Sequence, residues 1–216
     1  MKFLITGIFL LGGLGAAVAQ APANPAASSH VTAKKTASAA GRSECARAVA
    51  LCVTVPGSWR RLGDVFDDLG FVVAEPHTGT DSSAWPQLTV AAIDVPPTKG
   101  GERPSLDALV DIVLTPDASF TSSETLRRTH LMLNGGDAQI IRVRLHNDSD
   151  KSESIEEIAL IEGAEGLVYS IALRCGTQDF ARLEPVFQTA VHSWHVKEAA
   201  VVPPLQSRPK QDSEKK

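Results

Sequence analysis

Apolar and polar residues alternate in several short runs along the chain, and this period of two is typical of β-strands. The runs cover residues 51–55, 71–75, 88–95, 124–133, 138–146, 155–162 and 167–175. Two pairs of runs flank Asn134-Gly135-Gly136-Asp137 and Gly163-Ala164-Glu165-Gly166, where glycine supplies the positive φ angles that tight turns need. The pattern therefore predicts two β-hairpins preceded by three shorter strands.

Two segments have the helical period instead. Ser105 is placed as an N-cap, and Pro116 ends the segment whose apolar face comprises Leu106, Leu109, Val110, Val113 and Leu114. The second stripe, within residues 177–196, comprises Phe180, Leu183, Phe187, Ala190, Val191 and Trp194. Pro185 lies inside it, so we expect either an initial turn over 178–183 with the main helix beginning near Glu184, or a kink. Strand runs joined by hairpins, with two amphipathic helices to cover them, predict an α+β domain around a mainly antiparallel sheet.

Both ends of the chain differ from this middle part. Residues 1–19 combine an early Lys2, a short apolar run and Ala17-Val18-Ala19, which predicts a cleaved signal peptide, with an uncleaved anchor as the alternative. Residues 20–42 are rich in Ala, Ser and Pro and are interpreted as a flexible linker, and residues 198–216 as a flexible tail. Residues 43–197 remain, and we expect them to form a single α+β domain. No later stretch is apolar enough to span a bilayer, so we expect a secreted or periplasmic protein.

Composition and motifs exclude some classes of function but do not identify one. The 216 residues include 21 Lys and Arg against 25 Asp and Glu, a net charge of −4, which argues against a nucleic-acid binder. No nucleophile elbow, phosphate-binding loop or catalytic-cysteine context occurs. His192 and His195 are three residues apart, but a metal site needs further ligands, and a solvated helix end is the preferred interpretation. We predict no catalytic residue, no cofactor and no metal.

Arg142 and Arg144 alternate with Ile141, Val143 and Leu145, so their guanidinium groups lie on one face of a strand. Arg127 or Arg128 of the hairpin partner could extend this cationic stripe. It is the leading candidate surface for an anionic partner, and the alternative is a polar strand face that meets solvent or acids such as Glu156.

Three cysteines in an exported protein suggest one disulfide. Alternation in 167–175 places Cys175 on the face that the closing helix covers, so it should be buried, whereas Cys52 lies opposite Leu51 and Val53. Cys45 can reach Cys52 through a turn in the Ala-rich residues between them. We therefore favour a Cys45–Cys52 bond with Cys175 as a free core thiol, and the two pairings that involve Cys175 stay open.

Four stretches together resemble the PsbP-like superfamily. They are VTVPGSW over 53–59, SLDALV over 105–110, GLVYSIAL over 166–173, and LEPVF over 183–187 followed by Ser193-Trp194. The superfamily includes the extrinsic PsbP subunit of photosystem II, a Ran-binding nuclear import factor and small secreted bacterial domains. The resemblance implies an αβα sandwich and implies a non-enzymatic binding or assembly role, and its motifs carry no catalytic residues.

The resulting expectation is an exported non-catalytic protein that binds a protein or cell-envelope partner. The alternative is a periplasmic carrier with a small molecule between sheet and helix, which a closed cavity lined by Phe71, Phe120 or Trp85 would favour. A hydrolase is the third possibility, and clustered titratable groups in a cleft would favour it.

Overall fold

The computed structural model describes residues 40–76, 85–98, 100–114, 122–148, 151–163 and 166–197. The predicted signal peptide, nearly all of the predicted linker, the predicted tail and Phe120 lie outside these residues. The described residues form ten strands and two helices. They are β1 (Gly41–Cys45), β2 (Leu51–Pro56), β3 (Arg60–Val65), β4 (Gly70–Ala74), β5 (Gln87–Asp94), α1 (Leu106–Val113), β6 (Ser122–Leu133), β7 (Gly136–Asn147), β8 (Ser152–Glu162), β9 (Leu167–Gly176), α2 (Phe180–Ser193) and β10 (His195–Val196).

The strands form two antiparallel sheets. The larger sheet has seven strands in the order β3-β4-β5-β9-β8-β7-β6, and the smaller has three in the order β1-β2-β10. Both predicted hairpins are present, as β6–β7 and β8–β9. The first turn has positive φ at Asn134 (51°) and Gly135 (87°), the geometry of a two-residue type I′ turn.

Each helix covers one face of the seven-stranded sheet. Side chains of α1 pack with Ile141, Val143 and Leu145 of β7, whereas α2 packs with the opposite face, including Tyr169, Ile171 and Leu173 of β9. The β1–β2 hairpin joins α2 on its side, since Leu51, Val53 and Val55 belong to the same core. The predicted α+β sandwich is therefore confirmed.

Helix α1 begins where the sequence places it. The hydroxyl oxygen of Ser105 accepts a hydrogen bond from the Ala108 N–H at 3.3 Å, which is the N-cap arrangement. Leu106, Leu109 and Val110 are buried against the sheet, and Ile112 is 44% exposed on the outer side. The sequence therefore predicts both the start and the buried face of this helix.

Helix α2 differs from the prediction at both ends. Of the two expectations for its start, a main helix that begins near Glu184 is wrong, because the helix begins at Phe180 and includes Pro185, as the alternative of a kinked helix requires. Pro185 removes only the bond to the Ala181 carbonyl, while the N–H groups of Arg182 and Leu183 both donate to Asp179 at 3.1 Å. The helix ends at Ser193 rather than at 196, because Trp194 has extended dihedrals (φ −61°, ψ 140°) that turn the chain into β10.

Three strands have no counterpart in the alternation pattern, namely β1, β3 and β10. Strand β1 includes Gly41 and Arg42, the last two residues of the segment interpreted as a linker. It pairs with β2 over its whole length and is joined to it by a disulfide between Cys45 and Cys52, which face each other in the register. This is the pairing that the sequence favours, and Cys175 is free and buried.

Neither helix in the described part of the chain has the length and apolar character needed to cross a membrane.

Candidate functional site

A groove of about 870 Å³ lies at one end of the seven-stranded sheet, where three segments meet. The tip of the β6–β7 hairpin forms one wall, from Met132 to Asp137. Glu162, Gly163 and Tyr169 of the β8–β9 hairpin form the second. The third wall is Trp194 with β10, where the chain leaves α2. The groove is thus built from residues that are up to 64 positions apart, between Met132 and Val196.

Two aromatic rings lie in the groove wall. Tyr169 and Trp194 are 5% and 9% exposed, and their ring centroids are 5.4 Å apart at an interplanar angle of 43°. Gly163 makes room for this pair, because a Cβ atom there would lie 2.6 Å from Cε2 of Tyr169. Burial raises the pKa of the Tyr169 hydroxyl, so this group stays protonated near neutral pH.

The indole N–H of Trp194 is an unusual feature of this wall. The Nε1 atom is buried and has no hydrogen-bond partner among the described residues. Buried polar groups in proteins are normally paired, and an unpaired one needs an explanation. The Trp194 N–H is therefore a buried donor without a partner in the described part of the chain, next to the groove wall.

Asn134 holds the hairpin tip against the end of α2. Its side-chain amide donates a hydrogen bond to the Trp194 carbonyl at 2.8 Å. Asn tolerates the left-handed backbone that the turn requires, so one residue serves both the turn and this cross-link. The bond fixes the hairpin wall relative to the aromatic wall.

Exposed apolar side chains stand at the rim. Met132 is 62% exposed and Val196 is 42% exposed, and both line the groove. Large apolar groups that stay in water and converge on one concavity are typical of interaction sites.

The charged side chains of the groove are acidic. Asp137 and Glu162 line it, whereas no Lys or Arg occurs among the described residues that do so. The His130 Nε2 atom lies 3.5 Å from Asp137 Oδ1 in an exposed pair. His195 contributes an imidazole whose Nδ1–H donates to the Ser193 carbonyl at 3.0 Å.

The predicted arginine stripe has a different character. Arg142 Nη2 donates to Glu157 at 2.9 Å and also bonds Glu184 of α2, and its guanidinium lies 4.3 Å from the centre of the Phe180 ring. Glu157 is fully buried, and this burial raises its pKa despite the arginine. Arg142 therefore holds α2 on the sheet rather than presenting free positive charge.

Arg144 of the stripe is also ion-paired, since its Nη1 lies 3.0 Å from Glu124 of β6. Arg127 is opposite Arg142 in the strand register, and its Nε donates to the Thr129 hydroxyl at 3.1 Å. Glu156 is not the cross-strand acid of the stripe. It faces the α1 side and pairs with Arg174 at 3.2 Å, since adjacent residues of a strand point to opposite faces. Because Arg142 and Arg144 are ion-paired, we take the groove rather than the arginine stripe as the leading candidate surface.

The two histidines considered as metal ligands lie in different elements. His192 is on α2, where its Nδ1–H donates to the Gln188 carbonyl at 2.7 Å, and His195 is in β10. No group of three or more potential ligands (His, Cys, Asp or Glu) is found within the described part of the chain.

Two of the residues named for a carrier cavity lie in the described part of the chain. Phe71 is fully buried in the core, with the Arg61 guanidinium 4.7 Å from its ring centre. Trp85 is half-buried beside β5, and Phe120 lies outside the described residues.

Most groove residues are not recognisable from the sequence. Alternation places Tyr169, like Cys175, on the face that the closing helix covers, and Trp194 belongs to the apolar stripe of that helix. His195 is considered only as a metal ligand. Met132, Asp137, Glu162 and Val196 carry no signal of their own, because their meeting depends on the strand order. The two Gly-containing turns are the sole signal that points to this end of the sheet.

Comparison with known proteins gives a fold but no close relative. No family model matches the chain, and no curated protein matches it. Among solved structures, the chain is similar to cyanobacterial PsbP (CyanoP) from Synechocystis, with a TM-score of 0.52 and 14% identity over 74% of this chain and 94% of that one. It is also similar to the Saccharomyces cerevisiae Ran-binding protein Mog1p, with a TM-score of 0.50 and 14% identity over 74% and 96%.

A further similar structure is LpqN of Mycobacterium tuberculosis, a protein involved in cell-envelope biogenesis, with a TM-score of 0.48 and 10% identity over 74% of this chain and 91% of that one. CyanoP and Mog1p are members of the group that the sequence resembles, and both are covered almost completely. The resemblance is confirmed at the level of the fold: the chain has the PsbP-like fold.

Proposed function

We propose that this chain is an exported, non-catalytic binding or assembly protein that docks a protein or cell-envelope partner in the groove. The observation that carries the proposal is the convergence of exposed Met132 and Val196 with the Tyr169–Trp194 pair in one concavity. Aromatic residues and methionine are enriched at protein–protein interfaces, and the flexible methionine side chain adapts to the shape of a partner.

The shared fold supports a binding role without defining it. Mog1p has this fold and is a Ran-binding protein. Because one fold hosts many functions, the site on this chain has to be argued from its own residues. The acidic residues Asp137 and Glu162 and the Tyr169–Trp194 pair are the features of the groove on this chain.

Export is supported by two features of the sequence and the structure. Residues 1–19 have the pattern of a signal peptide. The Cys45–Cys52 disulfide fits an oxidising compartment, where such bonds persist.

Affinity capture with matched variants tests the binding role. The tagged mature protein is incubated with its native envelope extract, and bound proteins are identified by mass spectrometry. The groove variant carries Met132→Glu and Val196→Glu. The control carries Leu62→Glu and Ile112→Glu, which alter apolar residues of 37% and 44% exposure outside the groove.

We expect partners that the wild type and the control retain and that the groove variant loses. Thermal unfolding of all three proteins establishes that the substitutions leave the fold intact. Recovery of the same proteins by the wild type, the control and the groove variant would contradict the proposal.

The position of the N-terminus in the mature protein tests whether the protein is exported. We expect a chain that begins at Gln20 when the full sequence is expressed in its source cell, because Ala-Val-Ala precedes that residue. Mass spectrometry of the extracellular or periplasmic fraction measures this end directly. Recovery of the protein only inside the cell, with residues 1–19 retained, would overturn the export part of the proposal.

A further inference from the structure

We infer that Asn134 is a site of spontaneous covalent modification, where loss of the side-chain amide uncouples the β6–β7 hairpin from the end of α2. The modification does not depend on a partner in the groove, so it goes beyond the proposed function. Three features carry it: the sequence at the hairpin tip, the geometry of the turn and the hydrogen bond that the amide donates to the Trp194 carbonyl.

The turn of the β6–β7 hairpin contains the dipeptide Asn134-Gly135. Asparagine is a chemically labile residue, because the backbone nitrogen of the next residue can attack its side-chain carbonyl carbon. Glycine in that next position has no side chain to obstruct the attack. The other two asparagines of the chain are less suited, because Asn24 precedes a proline, which has no N–H, and Asn147 precedes an aspartate, whose side chain hinders the approach. The sequence therefore favours Asn134 as the reactive site.

The geometry of the turn leaves both reacting groups open to water. Asn134 and Gly135 are exposed, and their φ angles of 51° and 87° are those of a two-residue turn, flanked by the paired residues Leu133 and Gly136. The Gly135 N–H donates to no residue in the described part of the chain, and a Cβ atom at this position would meet nothing within 4 Å. The nitrogen that attacks is therefore accessible.

The reaction has two steps, and water is its one co-reactant. In the first step the Gly135 nitrogen forms a bond to Cγ of Asn134, while the bond from Cγ to Nδ2 breaks. Nδ2 leaves as ammonia with the proton of the Gly135 N–H, and a succinimide ring remains. In the second step water adds a hydroxyl group to Cγ or to the backbone carbonyl carbon of residue 134. The bond from that carbon to the nitrogen breaks and the nitrogen regains a proton, which gives aspartate or isoaspartate, ionised near neutral pH.

Either product removes the hydrogen bond that couples the hairpin to α2. The Asn134 amide donates to the Trp194 carbonyl at 2.8 Å. A carboxylate can only accept hydrogen bonds, so it faces a second acceptor at this position and is repelled by it. Isoaspartate also lengthens the backbone by one carbon atom, which a two-residue turn between paired strands does not accommodate. The hairpin tip is thus released from the point where the chain leaves α2.

The same hydrogen bond makes the change directional. Ring closure requires Cγ of Asn134 to turn towards the Gly135 nitrogen, so the amide first has to leave the Trp194 carbonyl. The closed contact therefore protects the amide, and neither product can restore the contact. An opening of the hairpin tip can in this way become permanent, and the protein accumulates the released form as it ages.

Peptide mapping of the full mature protein tests the modification. The folded protein is kept in isotopically labelled water at mildly alkaline pH, for several times as long as the urea-unfolded chain needs to lose its Asn134 amide. Mass spectrometry then follows each peptide that contains an asparagine. We expect uptake of the label at Asn134, while Asn24 and Asn147 keep their amides. Retention of the Asn134 amide in the folded protein would overturn the inference.

Hydrogen exchange tests the uncoupling. Asn134→Asp places the carboxylate product in the turn, and Asn147→Asp is the matched control, because it adds the same charge at the far end of β7. We expect the amides of the hairpin tip and of His195–Val196 to exchange about fivefold faster in Asn134→Asp and in the aged wild type, as the loss of one neutral hydrogen bond implies. The control should exchange as the fresh wild type does. Urea unfolding establishes that each protein is folded, and exchange at the fresh wild-type rate in either modified form would contradict the uncoupling.

Discussion

At the scale of single residues, Trp194 contributes both to the core and to the groove. Its ring packs in the α2-side core with Tyr169, while its buried N–H has no partner among the residues that the structure describes. Stability and hydrogen bonding can therefore be separated by two substitutions at one position.

Replacing Trp194 by Ala should destabilise the domain by roughly 3 kcal/mol, since it removes a large buried aromatic side chain. Trp194→Phe should cost less than Trp194→Ala, because it keeps an aromatic ring in the core and because the N–H that it removes has no partner among the described residues. Urea unfolding measures both values. A change near zero for Trp194→Ala would mean that this ring does not pack in the core.

Arg142 and Arg144 are two arginines on one strand face with different surroundings. Arg142 neutralises the fully buried Glu157, whereas Arg144 is 42% exposed and pairs with Glu124, which is 64% exposed. Removing the partner of a buried charge is costly, while exposed ion pairs contribute little. We therefore expect Arg142→Ala to cost about 3 kcal/mol and Arg144→Ala less than about 1 kcal/mol, again by urea unfolding.

The pH dependence of the Arg142→Ala effect follows from Glu157. The pKa of Glu157 is raised in the folded state. The contribution of its protonated form to the free energy of unfolding is therefore fully present below the ordinary carboxyl pKa. This contribution is lost as pH rises through the raised pKa of the folded state. The difference between wild type and Arg142→Ala should thus be smaller near about pH 4 than at pH 7. Equal differences at both pH values would show that Glu157 is not the group left unpaired.

At the scale of elements, the alternation of apolar and polar residues predicts the strands that bury one or both faces. It does not predict strands that lie at a sheet edge or are held by a disulfide and side-chain hydrogen bonds. Strand β3 has an irregular register between Arg61 and Gly63 and lies at a sheet edge. Strand β1 is fixed by its disulfide and by Arg42, whose guanidinium donates to the Trp59 carbonyl at 2.7 Å. Such strands carry little apolar periodicity, so the sequence pattern alone does not reveal them.

The β1–β2 hairpin depends on the Cys45–Cys52 bond for part of its stability. The bond closes a loop with a sequence separation of 7, for which loop-closure entropy corresponds to about 2 kcal/mol. We expect the Cys45→Ala, Cys52→Ala variant to lose about this amount in urea unfolding. Reducing agent should destabilise the wild type by a similar amount and leave the variant unchanged.

Cys175 provides an internal check on this experiment. Burial raises its pKa to about 12, so the thiol should not react with a thiol reagent until the domain unfolds. Rapid modification of Cys175 in the folded protein would mean that the α2-side core opens locally.

At the scale of the whole molecule, the strand order explains why the groove exists. Strands β7 and β8 are neighbours, so the tip of the β6–β7 hairpin and the end of β8 meet at one end of the sheet. The same end receives the chain leaving α2, because β10 pairs with β2 on the α2 side. Local sequence predicts each of the two hairpins but not this meeting, which only the complete topology determines.

The C-terminal segment 198–216 follows two residues after groove-lining Val196, so its contribution can be measured by deletion. Its sequence is rich in Pro and charged residues, which predicts that it buries little surface. We expect the deletion to leave the melting temperature almost unchanged. A loss of several degrees would show that Val201, Val202 or Leu205 docks on the core.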